Sequence, residues 1–196
     1  MIKKINIILI LTSILGSLYF VFTRDNNIVL VLKDLSIIIT INALYIIKKI
    51  FKVNISEAVI FIYVLFIFLA HFLGVTCELY NAIYWYDKFT HFLSGVLTSF
   101  GAILLLKKFK KTGNIAFSIL FIIAISLMVA SLWEIFEYLS SFYLGVDPQK
   151  VAQTGVTDTM GDIIVAFLGS ILVSIGYHYE YKYNCDLLIK RFVNLI

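Results

Sequence analysis

Long apolar runs alternate with short polar breaks along this chain, and the runs have the length of a bilayer. Six stretches read as spans: 5–22, 28–47, 57–76, 88–106, 115–144 and 157–177. At 1.5 Å per residue, about 20 apolar residues cross a hydrocarbon core of about 30 Å. The breaks carry turn and charge signals. They are Arg24-Asp25-Asn26-Asn27, the lysines 48, 49 and 52, an aromatic loop from Cys77 to Tyr86, the cluster Lys107 to Lys111, and the polar loop Val146 to Val156. Gly145 and Pro148 end the fifth run, because proline cannot continue a helix. Spanning segments must satisfy their own backbone polar groups. The pattern therefore predicts an all-α, polytopic membrane helix bundle of about six transmembrane helices, a single integral membrane domain over residues 1–196.

The first run follows Lys3 and Lys4, as a signal peptide would. It is longer than a signal core of about 7–15 residues, and it is read as a retained helix. The tail from His178 mixes charged and apolar residues, which fits an amphipathic helix on the membrane surface.

Composition agrees. The 196 residues are 61% hydrophobic and 14% charged, against about 25% charged in soluble domains. Mean hydropathy is +0.98. The net charge of +4 does not point to nucleic acid. The basic residues sit at span ends, where topology accounts for them, and membrane lipids are the expected partners. Lys3, Lys4, Lys48, Lys49, Lys52, the Lys107 to Lys111 cluster, Lys182, Lys190 and Arg191 fall on one side of a six-span arrangement. Arg24, Lys88 and Lys150 fall on the other. The positive-inside rule then predicts a multi-pass cell-membrane protein with both termini cytoplasmic. Cys77 and Cys185 make no metal or redox motif, and they face opposite compartments in this arrangement.

Three pairs of ionisable residues change the picture from topology to chemistry. Asp87 and His91 are four residues apart, Glu134 and Glu137 three, Asp158 and Asp162 four. Such spacings place each pair on one helix face. Ionisable groups in or beside spans are candidate functional residues. Glu134 lies roughly 28 Å along the fifth helix from Ile115, which brings it to the outer boundary where the fourth and sixth helices begin. All three pairs therefore share the outer-leaflet third. Ser94 and Thr98 continue the Asp87–His91 face. Ser126, Ala130, Glu134, Glu137 and Ser141 form one stripe, and Asp158, Asp162, Ala166, Gly169 and Ser170 another, with the small residues that close helix contacts in lipid require.

One histidine with five carboxylates is a metal-like donor set. Helix bundles build carboxylate-bridged metal sites from such inward-facing side chains. Oxygen-dominated ligation favours Mg, Mn or Ca, or iron and zinc with the imidazole. Without a metal, bound protons or Lys88, the carboxylates could not all stay ionised. Asp87, His91, Glu134, Glu137, Asp158 and Asp162 are thus the expected ligands of a divalent metal ion or the catalytic groups beside it. Lys88 is the expected holder of a phosphate. Plainer readings stand beside this one. Asp87, Thr157 or Asp158 would also serve as helix caps, and the set would also serve a proton or ion pathway. His71, alone in the third span, is read as a helix-packing histidine, and the Tyr84-Trp85-Tyr86 cluster as an interface anchor.

The motif Tyr86-Asp87-Lys88-x-x-His91-Phe92, the Glu134-x-x-Glu137 step, and Gln153-Thr154-Gly155 followed by Asp158-Thr159-x-x-Asp162 resemble the YjdF-type family of bacterial inner-membrane proteins. The resemblance runs roughly from His71 to Ser174. More distantly, the motif order is similar to VanZ-like proteins. The segment between Gly155 and Asp158 is only Val-Thr here, where the resemblance leads one to expect a further acid. The resemblance implies that the six residues form one site, and it implies no reaction.

Three functions compete on these grounds. The first is a metal-dependent membrane enzyme that hydrolyses, or transfers a phosphoryl group on, a lipid or lipid-linked substrate. The second is a cation- or proton-coupled transporter. The third is a non-catalytic envelope factor that binds a lipid headgroup or a partner helix. No Ser-His-Asp or Cys-His arrangement suggests covalent catalysis.

Overall fold

The computed structural model describes residues 1–23, 28–50, 52, 55–111 and 113–194, with the side chains of residues 193 and 194 left aside. The polar turn expected at 24–27 lies outside these. Every regular element among the described residues is helical. The six long helices are α1 (Ile2–Thr23), α2 (Ile28–Ile50), α3 (Glu57–Ile67, continued by a π-helical segment Phe68–Thr76), α5 (Tyr86–Lys108), α6 (Ile115–Leu144) and α8 (Thr157–Lys182). Each is long and apolar enough to cross a membrane. The one-turn helices α4 (Leu79–Ala82) and α7 (Val151–Thr154) sit in the connections, and α9 (Leu188–Asn194) closes the chain.

The helices are inside out by the standards of a water-soluble protein. In α1 the buried side chains are Asn6, Ser13 and Ser17, while Ile8 is 61% and Leu15 63% exposed. That arrangement is stable where the surroundings are as apolar as leucine. The six apolar spans and this exposed apolar surface make the chain a multi-pass membrane protein.

The contacts divide the chain into two compact units, Met1–Tyr86 and Asp87–Asn194. In the first, α1 packs on α2 and α3 around Ile37, Ile41, Ile60, Val64 and Phe72. Ser56 caps α3 by accepting from the Val59 N–H. The π-helical segment carries His71. Its Nδ1 lies 3.2 Å from Thr40 Oγ1, and its Nε2 lies 3.2 Å from Ser36 Oγ and 3.1 Å from the Lys33 carbonyl. His71 therefore ties α3 to α2 as a packing residue, as its isolation in an apolar span suggested.

In the second unit, α6 packs along α8, and α5 crosses α8 at contact distance. Glycine permits that crossing. A Cβ on Gly95 would overlap the Ala166 carbonyl, and one on Gly169 would lie 2.5 Å from the Phe92 carbonyl oxygen. Farther along, Ala102, Ile103, Leu106, Ile122, Val173, Tyr177 and Ile189 form the apolar core. Asn114 caps α6, and Gly145, at φ +66°, ends it. Asp147 then starts α7 by accepting from the Val151 and Ala152 N–H groups. The tail packs back onto α8. Glu180, buried on α8, accepts from the Ile189 and Lys190 N–H groups at 2.7 Å each, and Ile189 enters the core.

Candidate functional site

The site lies within the second unit, where α5 and α8 begin and the loop before α7 returns from the end of α6. The face expected on α8 is the one that is buried: Asp158, Asp162, Ala166, Gly169 and Ser170 all point inward. On α6, Ser126, Ala130 and Glu134 are buried, while Glu137 and Ser141 are half-buried. On α5, His91 is buried, and Thr98 donates to Ser126 Oγ at 3.1 Å. The close crossing also buries Gly95 and Ser99, so the inward face is turned slightly from the one through Ser94.

Lys88 is the centre of the cluster. Its Nζ lies 2.6 Å from Asp158 Oδ1, 2.9 Å from Asp162 Oδ1 and 3.5 Å from Asp87 Oδ2. Its stem lies over Gly161, where an added Cβ would come within 3.0 Å of Lys88 Cε. A second lysine approaches from the loop: Lys150 Nζ is 3.1 Å from Asp87 Oδ2 and 3.9 Å from Asp158 Oδ2. Two ammonium groups against three carboxylates leave an excess of negative charge in a largely buried place. The start of α8 shows no side-chain capping bond, and the Asp158 carboxylate goes to Lys88. Capping thus does not account for Asp158.

Asp87, His91 and Asp162 each offer a ligand atom, and the three atoms lie within 4.8 Å of one another. His91 Nε2 is 3.7 Å from Asp87 Oδ1 and 3.8 Å from Asp162 Oδ1. A cation bound at about 2.0–2.5 Å from oxygen or imidazole nitrogen spans about 4–5 Å between opposite ligands. The triad is therefore of the right size for one. Two carboxylates and an imidazole suit Mn, Fe or Zn.

The remaining acids take separate partners. Asp158 is held by the two lysines. Glu134 accepts from Gln149 Nε2 at its Oε2 and at its main-chain carbonyl, both at 3.1 Å. Its Oε1 is buried without a hydrogen-bond partner among the described residues. Glu137 accepts from Trp133 Nε1 at 2.9 Å, one turn back on α6. Gln149 and Lys150 were invisible as site residues in the sequence. They follow Pro148 in a loop without periodicity, and only their nearness to a charge-rich helix start hinted at a role.

The chain's family is found by comparison. The family described as "Predicted membrane protein (DUF2238)" matches residues 5–182, and the chain belongs to it. No curated protein and no solved structure matches the chain.

Proposed function

We propose that this DUF2238 protein is a metal-dependent membrane enzyme that acts on a lipid or lipid-linked substrate by hydrolysis or phosphoryl transfer. One observation carries the reading: Asp87, His91 and Asp162 converge within 4.8 Å at one end of membrane-length helices. In this reading they hold a divalent cation. Such a cation would supply Lewis acidity and the means to activate water at neutral pH. Glu134, whose Oε1 makes no hydrogen bond among the described residues, is the candidate proton acceptor. Lys88 and Lys150 attract an anionic group, and Asp158 and Glu137 set the local charge. The lysine distribution orients the site to the outer leaflet of the cell membrane.

The test is reconstitution into lipid discs with Mn²⁺ or Zn²⁺, followed by mass spectrometry of the lipids. Conversion that needs metal, and that is lost in His91→Ala and Asp162→Asn, supports the reading. Conversion that survives either variant sinks it.

A second reading, cation- or proton-coupled transport, draws support from α8. Below the site its buried face continues through Ser170, Ser174, Tyr177 and Glu180. Ser174 Oγ is buried without a hydrogen-bond partner among the described residues. Uptake into proteoliposomes that falls in Asp162→Asn and in Ser174→Val, without any lipid conversion, would favour transport.

A further inference from the structure

One oxygen in the site is contested. Asp162 Oδ1 accepts from Lys88 Nζ at 2.9 Å and is also the atom that His91 Nε2 approaches to 3.8 Å. A cation seated by Asp87, His91 and Asp162 draws on the same Asp162 carboxylate that holds Lys88. A divalent cation and an ammonium group at one buried carboxylate repel each other, because little water lies between to screen them. The cation therefore weakens the hold of Asp162 on Lys88. Lys88 is the group able to move. Its side chain is 32% exposed, that of Asp162 only 3%, and a lysine stem is flexible.

Lys150 is arranged in the same manner. It holds Asp87 Oδ2, while the other oxygen of Asp87 faces His91. A cation on Oδ1 therefore weakens the hold of Asp87 on Lys150 as well. Glu134 points independently to a ligand in this place. It is 5% exposed, and its Oε1 makes no hydrogen bond among the described residues.

We propose that the site loads in order: a divalent cation first, which displaces Lys88 from Asp162, and then a phosphate group, taken by the ammonium groups of Lys88 and Lys150, which Asp158 keeps at the site. The inference rests on the metal reading above. Without the cation, an approaching phosphate meets carboxylates whose charge the lysines do not fully cancel. With it, the same place presents a cation and two ammonium groups, which suits a tetrahedral dianion. A lipid headgroup and free phosphate share this chemistry.

The experiment uses the full chain in phosphatidylcholine discs, with protein-free discs as background. Mn²⁺ binding is followed by electron paramagnetic resonance. Inorganic phosphate is titrated with and without Mn²⁺, and parallel discs contain phosphatidic acid. Phosphate or phosphatidic acid is expected to bind at least about tenfold more tightly once Mn²⁺ is present. A gain with inorganic phosphate identifies a free anion, and a gain with phosphatidic acid alone identifies a headgroup. Lys88→Met is expected to bind Mn²⁺ about tenfold more tightly and to lose the metal-dependent gain. Gly161→Ala, which pushes on Lys88 Cε without removing charge, is expected to tighten Mn²⁺ binding in the same direction. Mn²⁺ binding with phosphate affinity unaffected by it, or unaltered Mn²⁺ affinity in both variants, overturns the ordered loading and leaves the metal site standing. Absence of Mn²⁺ binding in all three proteins overturns the metal reading itself.

Discussion

Gln149 Nε2 reaches both the side-chain Oε2 and the main-chain carbonyl of Glu134, at 3.1 Å each, and so fastens the loop after α6 back onto α6. Both residues are buried. Removing the amide leaves a buried carboxylate with a lost donor, a change that costs about 1–3 kcal/mol. Gln149→Ala is expected to lower the thermal midpoint of the purified protein in detergent. Gln149→Glu is expected to lower it further, because two carboxylates would then face each other. The double variant Gln149→Ala, Glu134→Ala is expected to recover much of the loss, since no unpaired carboxylate remains. Equal midpoints across the series would show that this contact does not hold the loop.

The helix crossing offers a second prediction of a purely steric kind. A Cβ on Gly169 would lie 2.5 Å from the Phe92 carbonyl oxygen and 3.0 Å from the Val96 nitrogen. Both are backbone atoms, so no rotamer change relieves the clash, and overpacking of this sort costs about 1–3 kcal/mol. Gly169→Ala is expected to destabilise the protein and to weaken Mn²⁺ binding, because His91 and Asp162 sit on the two helices that must move apart. Gly101→Ala, on α5 with open space around its Cβ, is the control and is expected to leave both unchanged.

Much of the helix geometry was legible in sequence, and the rest was hidden for definite reasons. Helical spacing alone placed Asp158, Asp162, Ala166, Gly169 and Ser170 on one inward face, because the 3.6-residue period is rigid over four turns. The same period carried Ser126, Ala130 and Glu134. It did not tell which acids would meet. Glu137 lies on the same helix as Glu134, yet it pairs with Trp133, because a small rotation decides whether an i+3 neighbour faces inward. Lys150 and Gln149 come from a loop, where no period exists to place them. The π-helical turn at His71 was equally hidden, since its wider spacing leaves no mark in an apolar run.

Metal removal makes a third prediction. Ligands that bind only the folded state stabilise it by mass action, by about 2.7 kcal/mol at a hundredfold excess over the dissociation constant. Added Mn²⁺ is therefore expected to raise the thermal midpoint of the wild-type protein, and a chelator to reverse the rise. Asp87→Asn and His91→Ala each remove one member of the triad and are expected to abolish the effect. Glu137→Gln, whose carboxylate lies outside the triad and bonds Trp133, is expected to keep it. A rise of the same size in all variants would place the metal elsewhere.

Topology gives the last prediction, and the charge pattern alone carries it. Cys77 and Cys185 both keep thiols. Three helices of spanning length, α5, α6 and α8, separate them along the chain. If all three cross, the odd number would put them on opposite sides of the membrane, and by the positive-inside rule the lysine clusters that end α2 and α5 predict Cys185 on the cytoplasmic side. In intact cells, a membrane-impermeant maleimide is expected to label the Cys185→Ser variant, through Cys77, and to spare the Cys77→Ser variant until the cells are opened. The reverse pattern would turn the site inward. It would then face cytoplasmic substrates, and the chemistry proposed for the Asp87–His91–Asp162 triad would have to be sought on soluble phosphate compounds or inner-leaflet lipids instead.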